Sequence, residues 1–167
     1  MAISVSAVKA LREQTGAGVM DCKRALEASG GDMDQAAAWL RQQGLAIAAK
    51  KTNRLAAQGL VESYIHAGGR IGVLVEVNCE TDFVARTSEF KELAHNLAMQ
   101  IAATAPRCIS PDETFPDADY SPPESCLLTQ PFIRDPDKTV RDVITETIAK
   151  VGENIQVRRF SRFELGN

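Results

Sequence analysis

The hydrophobic positions of the first 44 residues recur at helical spacing, in three short runs punctuated by glycine. Val5, Val8 and Leu11 mark the first run, which Gly16 and Gly18 break. Val19, Cys22 and Leu26 share a face of the second, and Gly30-Gly31 ends it. Asp32 is placed to cap a third helix, with Gln35 three positions on in a capping-box-like pair. Met33, Ala36, Ala37 and Leu40 form its stripe and Gly44 closes it. These spacings predict a minimal three-helix bundle, small enough to be marginal alone. The Ala-rich, basic stretch LAIAAKKTNRLAAQ, residues 45–58, predicts a semi-helical linker whose cations stay in water.

Beyond Gly59 the period falls to two. In GLVESYIHA, Val61, Ile65 and Ala67 alternate with Glu62, Tyr64 and His66, which predicts a strand with a mixed outer face. Gly68-Gly69 is a two-residue hairpin signal, and RIGVLVEVN then puts Ile71, Val73, Val75 and Val77 on one face. Phe90, Leu93, Ala94, Leu97 and Ile101 predict a long helix from about Thr87 to Ala105. All seven prolines lie between Pro106 and Pro136, marking a long loop with at most short helical turns. Thr139 is placed to cap a last helix with the stripe Val140, Val143, Ile144, Ile148 and Val151, stopped by Gly152. NIQVRRFSRFEL alternates again, with Ile155, Val157, Phe163 and Leu165 expected on one face beside Arg159 and Ser161. The pattern predicts an α+β chain. Residues 1–54 form a three-helix domain with its linker. Residues 55–167 form a three-stranded antiparallel sheet packed with helices, carrying the Pro-rich loop 106–136.

Composition narrows the function classes. A net charge of −3 argues against a general nucleic-acid binder, which needs a basic field. No stretch approaches the roughly 20 apolar residues of a membrane span. The N-terminus has neither a signal core nor a transit composition, so a soluble, cytoplasmic protein is expected. Cys22, Cys79, Cys108 and Cys126 form no CxxC pair and, with His66 and His95, give no metal-ligand spacing. Reduced structural thiols are the reading, with a Cys108–Cys126 bridge across the loop as the alternative.

The candidate chemistry is mostly negative. TGAGVMDCKR lacks the GxxxxGK[ST] order of a phosphate loop, since Cys22 precedes Lys23 and Arg24 follows it. It also fails as a dinucleotide fingerprint, with a helix before it and Asp21 in place of the third glycine. No Ser/His/Asp or Cys/His grouping can be read off around His66 or His95, and Glu80 and Asp82 read as solvated charges near a strand end. No active site is visible, and no cofactor is expected.

Phe83, in NCETDFVAR, is the ambiguous residue. Seven positions before Phe90, it extends the stripe of the 87–105 helix backwards, and periodicity alone favours a core ring. Arg86 and Thr87 interrupt that stripe, however, and Asp82 favours a turn; a ring on such a corner would project as an interface anchor. Trp39 lies off its helix stripe and reads as half-buried against the linker. Met20 reads as a core margin or a partner surface, and Arg12 as a solvated charge.

Three motifs carry a resemblance that spans the chain except for the loop. TGAGVMDCKRALEASGGDMDQAAAWLR resembles the ubiquitin-associated-like N-terminal domain of the elongation factor Ts family. GGRIGVLVEVNCETDFVAR looks like that family's hairpin and turn, and VGENIQVRRFSRFELG is similar to its closing strand. The resemblance implies a guanine-nucleotide exchange factor for elongation factor Tu. It implies that Arg12, Val19 and Met20 dock on the partner's GTP-binding domain, with Val19 where the family often has Met. It implies further that Asp82-Phe83, with Thr81 and Val84 beside them, is the working corner, which reverses the periodicity reading of Phe83. Longer members carry a second core subdomain and a coiled-coil insertion, and 167 residues leave no room for both. Short members pair as homodimers through their sheets, here through the Ile155/Val157/Phe163/Leu165 face or the Ile71–Val77 face. The rival readings are a non-exchanging adaptor, whose three-helix domain binds a ubiquitin-like surface, and a nucleotide-binding enzyme.

Overall fold

The computed structural model describes residues 3–111 and 125–166. Helices α1 (Val5–Thr15), α2 (Val19–Ala28) and α3 (Met33–Lys51) form the bundle. Ser4 caps α1 by accepting from the Ala7 amide at 3.1 Å, and Asp32 caps α3 by accepting from the Gln35 amide at 2.8 Å. Leu11, Cys22, Ala25, Leu26 and Ala36 make its small interior, with Trp39 and Leu40 half-buried against it. Val5, expected on the stripe, is 86% exposed, while Ile3, Ala7 and Val8 pack on the interior instead.

Gly44 does not end α3. The helix continues through the Ala-rich segment to Lys51, and the Thr52 amide closes it on the Ala48 carbonyl. The expected linker from 45 onward is therefore largely helix, as a run of alanines and lysines favours. Gly44 is buried instead, packed against α6 (Val140–Val151), where an added Cβ would lie 3.6 Å from that of Ala149, an ordinary contact.

The second core is built on strands β1 (Gln58–Ile65), β2 (Ile71–Cys79) and β5 (Ile155–Glu164), antiparallel throughout, with β2 in the centre. Val73, Val75 and Val77 face helix α5 (Ser88–Thr104), whose Phe90, Leu93, Ala94, Leu97 and Ile101 are all buried, as their spacing predicts. Thr87 caps that helix through the Phe90 amide, and Ala105 closes it with left-handed backbone. Helix α6 carries a full capping box between Thr139 and Asp142, and Val140, Ile144 and Ile148 enter the same core.

The structure corrects two strand faces. β1 pairs Leu60, Glu62 and Tyr64 with Val77, Val75 and Val73, so those three face the helices and Val61 and Ile65 face outward. In β5 the register shifts between Glu76 and Val77 of its neighbour, leaving Arg158 as an extra residue. Ile155 and Val157 point into the core before this bulge, whereas Phe163 and Leu165 point outward after it, so they do not share a face.

The proline-rich segment is also more ordered at its end than expected. Strands β3 (Pro131–Phe132) and β4 (Asp135–Thr139) form a small two-stranded sheet running into α6. The remainder of the expected loop, residues 112–124, lies outside the described residues. Cys108 and Cys126 form a disulfide, which corrects the reading of four reduced thiols; Cys22 and Cys79 are free and buried. Backbone bonds from Arg107 to Ser125 and from Leu127 to Cys108 lay the two segments side by side.

Candidate functional site

The corner after β2 begins with a change of backbone habit. Thr81, in extended conformation, caps the single-turn helix α4 (Asp82–Ala85) by accepting from the Val84 amide. Val84 and Ala85 then point into the core, and the same turn forces Phe83 the other way. The ring is 78% exposed, the most exposed phenylalanine among the described residues. The core reading of Phe83 is thereby corrected: periodicity carried across residues 86 and 87 ignores that Thr87 starts a new helix. Asp82 pairs with Arg86 at 2.6 Å on the surface, one turn on.

Behind the corner lies a set of contacts that reach far along the chain. The Thr81 amide and hydroxyl donate to the two oxygens of the Glu153 carboxylate, at 3.0 and 2.7 Å. The Cys79 thiol donates to the Thr81 carbonyl at 3.1 Å, and burial, reinforced by the Glu153 charge, pushes that thiol up from its ordinary range. A protonated thiol is the form that donates, so the shift and the bond agree. Glu80, expected to be solvated like Asp82, instead accepts from the Asn154 amide at 2.7 Å and faces Arg54 at 3.6 Å. The two carboxylates serve different sides of the turn.

A cleft of about 890 Å³ separates the bundle from the sheet–helix core, and it gathers several of the expected residues. Arg12 and Val19 line it from the bundle, Trp39 and Ile47 from α3, and Phe83 and Val84 from the corner. Val19 is about half exposed and Arg12 is exposed. Met20 is 62% exposed on the adjacent surface of α2 and does not line the cleft. Thr81 and Asp82 stand beside Phe83 without lining it either. Val84 is almost fully buried, so it supports the corner from behind rather than offering itself. The Glu153–Asn154 contacts were missed in the sequence. Their one signal was a pair of polar residues directly after the helix-ending Gly152.

Two further observations bear on chemistry. Among the described residues no group of three or more His, Cys, Asp or Glu side chains is placed to hold a metal. No helix among them is long and apolar enough to cross a membrane. The outer face of the sheet carries Val61, Ile65, Leu74, Phe163 and Leu165, all largely exposed, and on the central strand Glu76 is held by Arg159 at 2.7 Å. The Arg159 bond draws the Glu76 carboxyl below its ordinary range.

The family model described as Elongation factor TS matches residues 10–118, which contain both the bundle's exposed residues and the Phe83 corner. Elongation factor Ts of Carboxydothermus hydrogenoformans is 52% identical over 194 aligned residues, covering 98% of this chain and 89% of the relative. Elongation factor Ts of Methylacidiphilum infernorum is 54% identical over 192, covering 98% and 96%. That of Desulfosudis oleivorans is 48% identical over 194, covering 98% of each. These alignments are longer than the 167-residue chain, so the relatives carry additional residues within the matched span. With a family model over more than half its length and relatives near 50% identity from end to end, this chain belongs to the elongation factor Ts family.

Proposed function

We propose that this protein is a guanine-nucleotide exchange factor that binds the GDP form of elongation factor Tu and accelerates release of GDP. Family membership supports the class, and the observation that carries the mechanism is the outward Phe83 ring beside Asp82 at the rim of a cleft. Arg12, Val19 and Met20 dock the bundle on the GTPase domain. Thr81, Asp82, Phe83 and Val84 make the corner that enters it, with Val84 bracing the ring from inside. The division into a docking domain, residues 1–54, and an exchange domain, residues 55–167, is part of the same proposal. The protein forms no covalent intermediate in this reading, and it acts where translation does, in the cytoplasm.

The energetics set what the ring has to do. The partner holds GDP through its phosphates and a magnesium ion whose octahedral shell tolerates little displacement. Burying a phenyl ring between the partner's packed helices recovers roughly 2–3 kcal/mol. Packed interiors move between discrete arrangements, so a small wedge becomes a displacement of the phosphate and metal ligands. Binding of this protein and of GDP then weaken one another by the same factor. A thousandfold acceleration needs about 4 kcal/mol at the release transition state, more than one ring supplies, so docking by the bundle has to contribute.

The decisive experiment is release of labelled GDP from purified elongation factor Tu, with and without this protein, across magnesium concentrations. Acceleration that shrinks as magnesium rises supports the reading. Binding without acceleration would support the adaptor reading instead, in which residues 1–54 alone suffice. As a second element, the outward apolar sheet face suits a second copy of this chain related by a twofold axis. Neither face expected for such pairing is intact: Ile71–Val77 lies against α5, and only the Phe163 and Leu165 end of β5 faces out. Sedimentation of wild type and Phe163→Asp reports whether that copy binds.

A further inference from the structure

The turn between α6 and β5, Gly152-Glu153-Asn154, touches both arms of the proposed exchange factor at once. Gly152 adopts φ 76°, closing α6 with its amide on the Ile148 carbonyl at 2.8 Å. Its own carbonyl accepts from the Lys51 ammonium, in the last turn of α3. Asn154 is 2% exposed, and its side-chain amide donates to the Thr52 and Arg54 carbonyls, 3.3 and 2.8 Å away, just where the bundle's long helix ends. The Gln156 amide adds a bond to Thr52 at 3.4 Å. In the opposite direction, the Asn154 backbone amide holds Glu80 and the Glu153 carboxylate takes both donors of Thr81. Three consecutive residues therefore bond the exit of the bundle and the base of the Phe83 corner.

Such an arrangement has a mechanical consequence. Helix α3 also packs along α6, with Gly44 against Ala149 and Ala48 on the second core, while the Lys150 side chain lies over Gly16. The buried Asn154 adds a directional restraint at the exit of α3, because swinging that end would leave its amide without acceptors, a cost that a buried polar group does not tolerate. Glu153 does the corresponding task for the corner, fixing the residue that caps the turn under Phe83. We propose that Glu153 and Asn154 are positioning residues for nucleotide exchange, Asn154 fixing the bundle relative to the core and Glu153 fixing the direction of the Phe83 ring. The assignment rests on the exchange reading above.

The two roles separate in kinetics. Asn154→Ala should raise the concentration of this protein giving half-maximal GDP release by about fivefold or more, since docking by the bundle loses its preset orientation. Its maximal rate should stay close to wild type. Glu153→Ala should do the reverse, lowering the maximal rate by about fivefold or more with half-saturation little changed. Glu153→Gln should recover most of that loss, because a carboxamide accepts from the Thr81 amide and donates to its hydroxyl. Nitrogen-15 relaxation of the free protein gives an independent readout. Wild type and Glu153→Ala should show the same order parameters across α1–α3, whereas Asn154→Ala should lower them relative to the sheet–helix core. Ile101→Val, a core variant remote from the turn, controls for lost stability.

Two results would overturn the proposal. One is Asn154→Ala keeping wild-type order parameters in the bundle with unchanged half-saturation. The other is both alanine variants losing both kinetic parameters only in proportion to stability, as the control does. If wild type itself fails to release GDP, the exchange reading falls, and the relaxation data still decide whether Asn154 fixes the bundle.

Discussion

Phe83 and Phe90 stand seven residues apart, two turns of a helix had the helix been continuous, yet one ring is 78% exposed and the other fully buried. The regions around them use the same materials. Each begins with a threonine in extended conformation whose hydroxyl accepts from the amide three residues on, Thr81 from Val84 and Thr87 from Phe90. Each has an acidic residue in its first turn. They part in how far the helix runs past its cap. The helix from Ser88 runs 17 residues and lays a stripe on the sheet, whereas the turn from Asp82 lasts four and buries only Val84 and Ala85. A single turn has too few positions to bury every apolar residue it carries, so one of them is free for a partner. Length, rather than chemistry, separates the core ring from the presented one.

Substitution of the two rings should give opposite signatures, and the larger effect belongs to the buried one. Phe90→Ala removes a ring with no exposed surface and should cost about 3–5 kcal/mol of stability, measured by urea unfolding. The fraction that remains folded should exchange at the wild-type rate. Phe83→Ala should lower GDP release from elongation factor Tu tenfold or more, about 1.4 kcal/mol in the barrier, with the urea midpoint little moved. A variant at 83 that unfolds while keeping its rate per folded molecule would erase the distinction.

The break between the two regions rests on one hydroxyl. Thr87→Ala leaves the Phe90 amide without its cap and should destabilise the protein by about 1 kcal/mol in the same assay. The Thr87 hydroxyl also donates to the Val84 carbonyl at 2.8 Å, so the variant should loosen the Phe83 turn as well. Hydrogen exchange of the Val84, Ala85 and Phe90 amides should quicken together. Quickening at Phe90 alone would mean the corner does not depend on the helix behind it.

Much of the scaffold was legible because periodicity and caps act locally. The spacing from Phe90 to Ile101, the valines of β2 and the Thr139 cap each predicted what formed. The features that escaped depended on partners far along the chain. The outward face of β1 is set by its pairing with β2, and alternation within GLVESYIHA does not say which set is inside. The bulge at Arg158 reverses the parity of β5 midway, and nothing in NIQVRRFSRFEL marks it. Gly44 reads as a stop signal until Ala149, over a hundred residues away, is seen against it. At the candidate site, Asp82 and Thr87 signalled the corner, but periodicity still favoured a core Phe83. Glu153 and Asn154 were invisible, since a polar pair after a helix stop shows no local sign of the distant groups it holds. The resemblance named the corner without saying what holds it.

The smallest effect tests the helix break by pH. Glu89 lies in the first turn of α5, and its carboxyl is held below the ordinary range first by its own backbone amide, then by the Ser88 hydroxyl, with Lys150 adding a favourable charge. The unfolded chain has none of these, so near pH 4 it binds more protons than the native state, and stability rises with pH there. The contribution is therefore complete above the unfolded value, roughly pH 4.3, and is lost as pH falls through the lower folded value. Urea midpoints of wild type and Glu89→Gln should differ most at neutral pH and converge below about pH 4. A carboxylate in the middle of a helix finds its backbone amides already bonded, and only one at a helix start has free donors to meet. Midpoints that stay equally separated at every pH would therefore mean that α5 does not begin at Thr87, and the reason given for the outward turn of Phe83 would go with it.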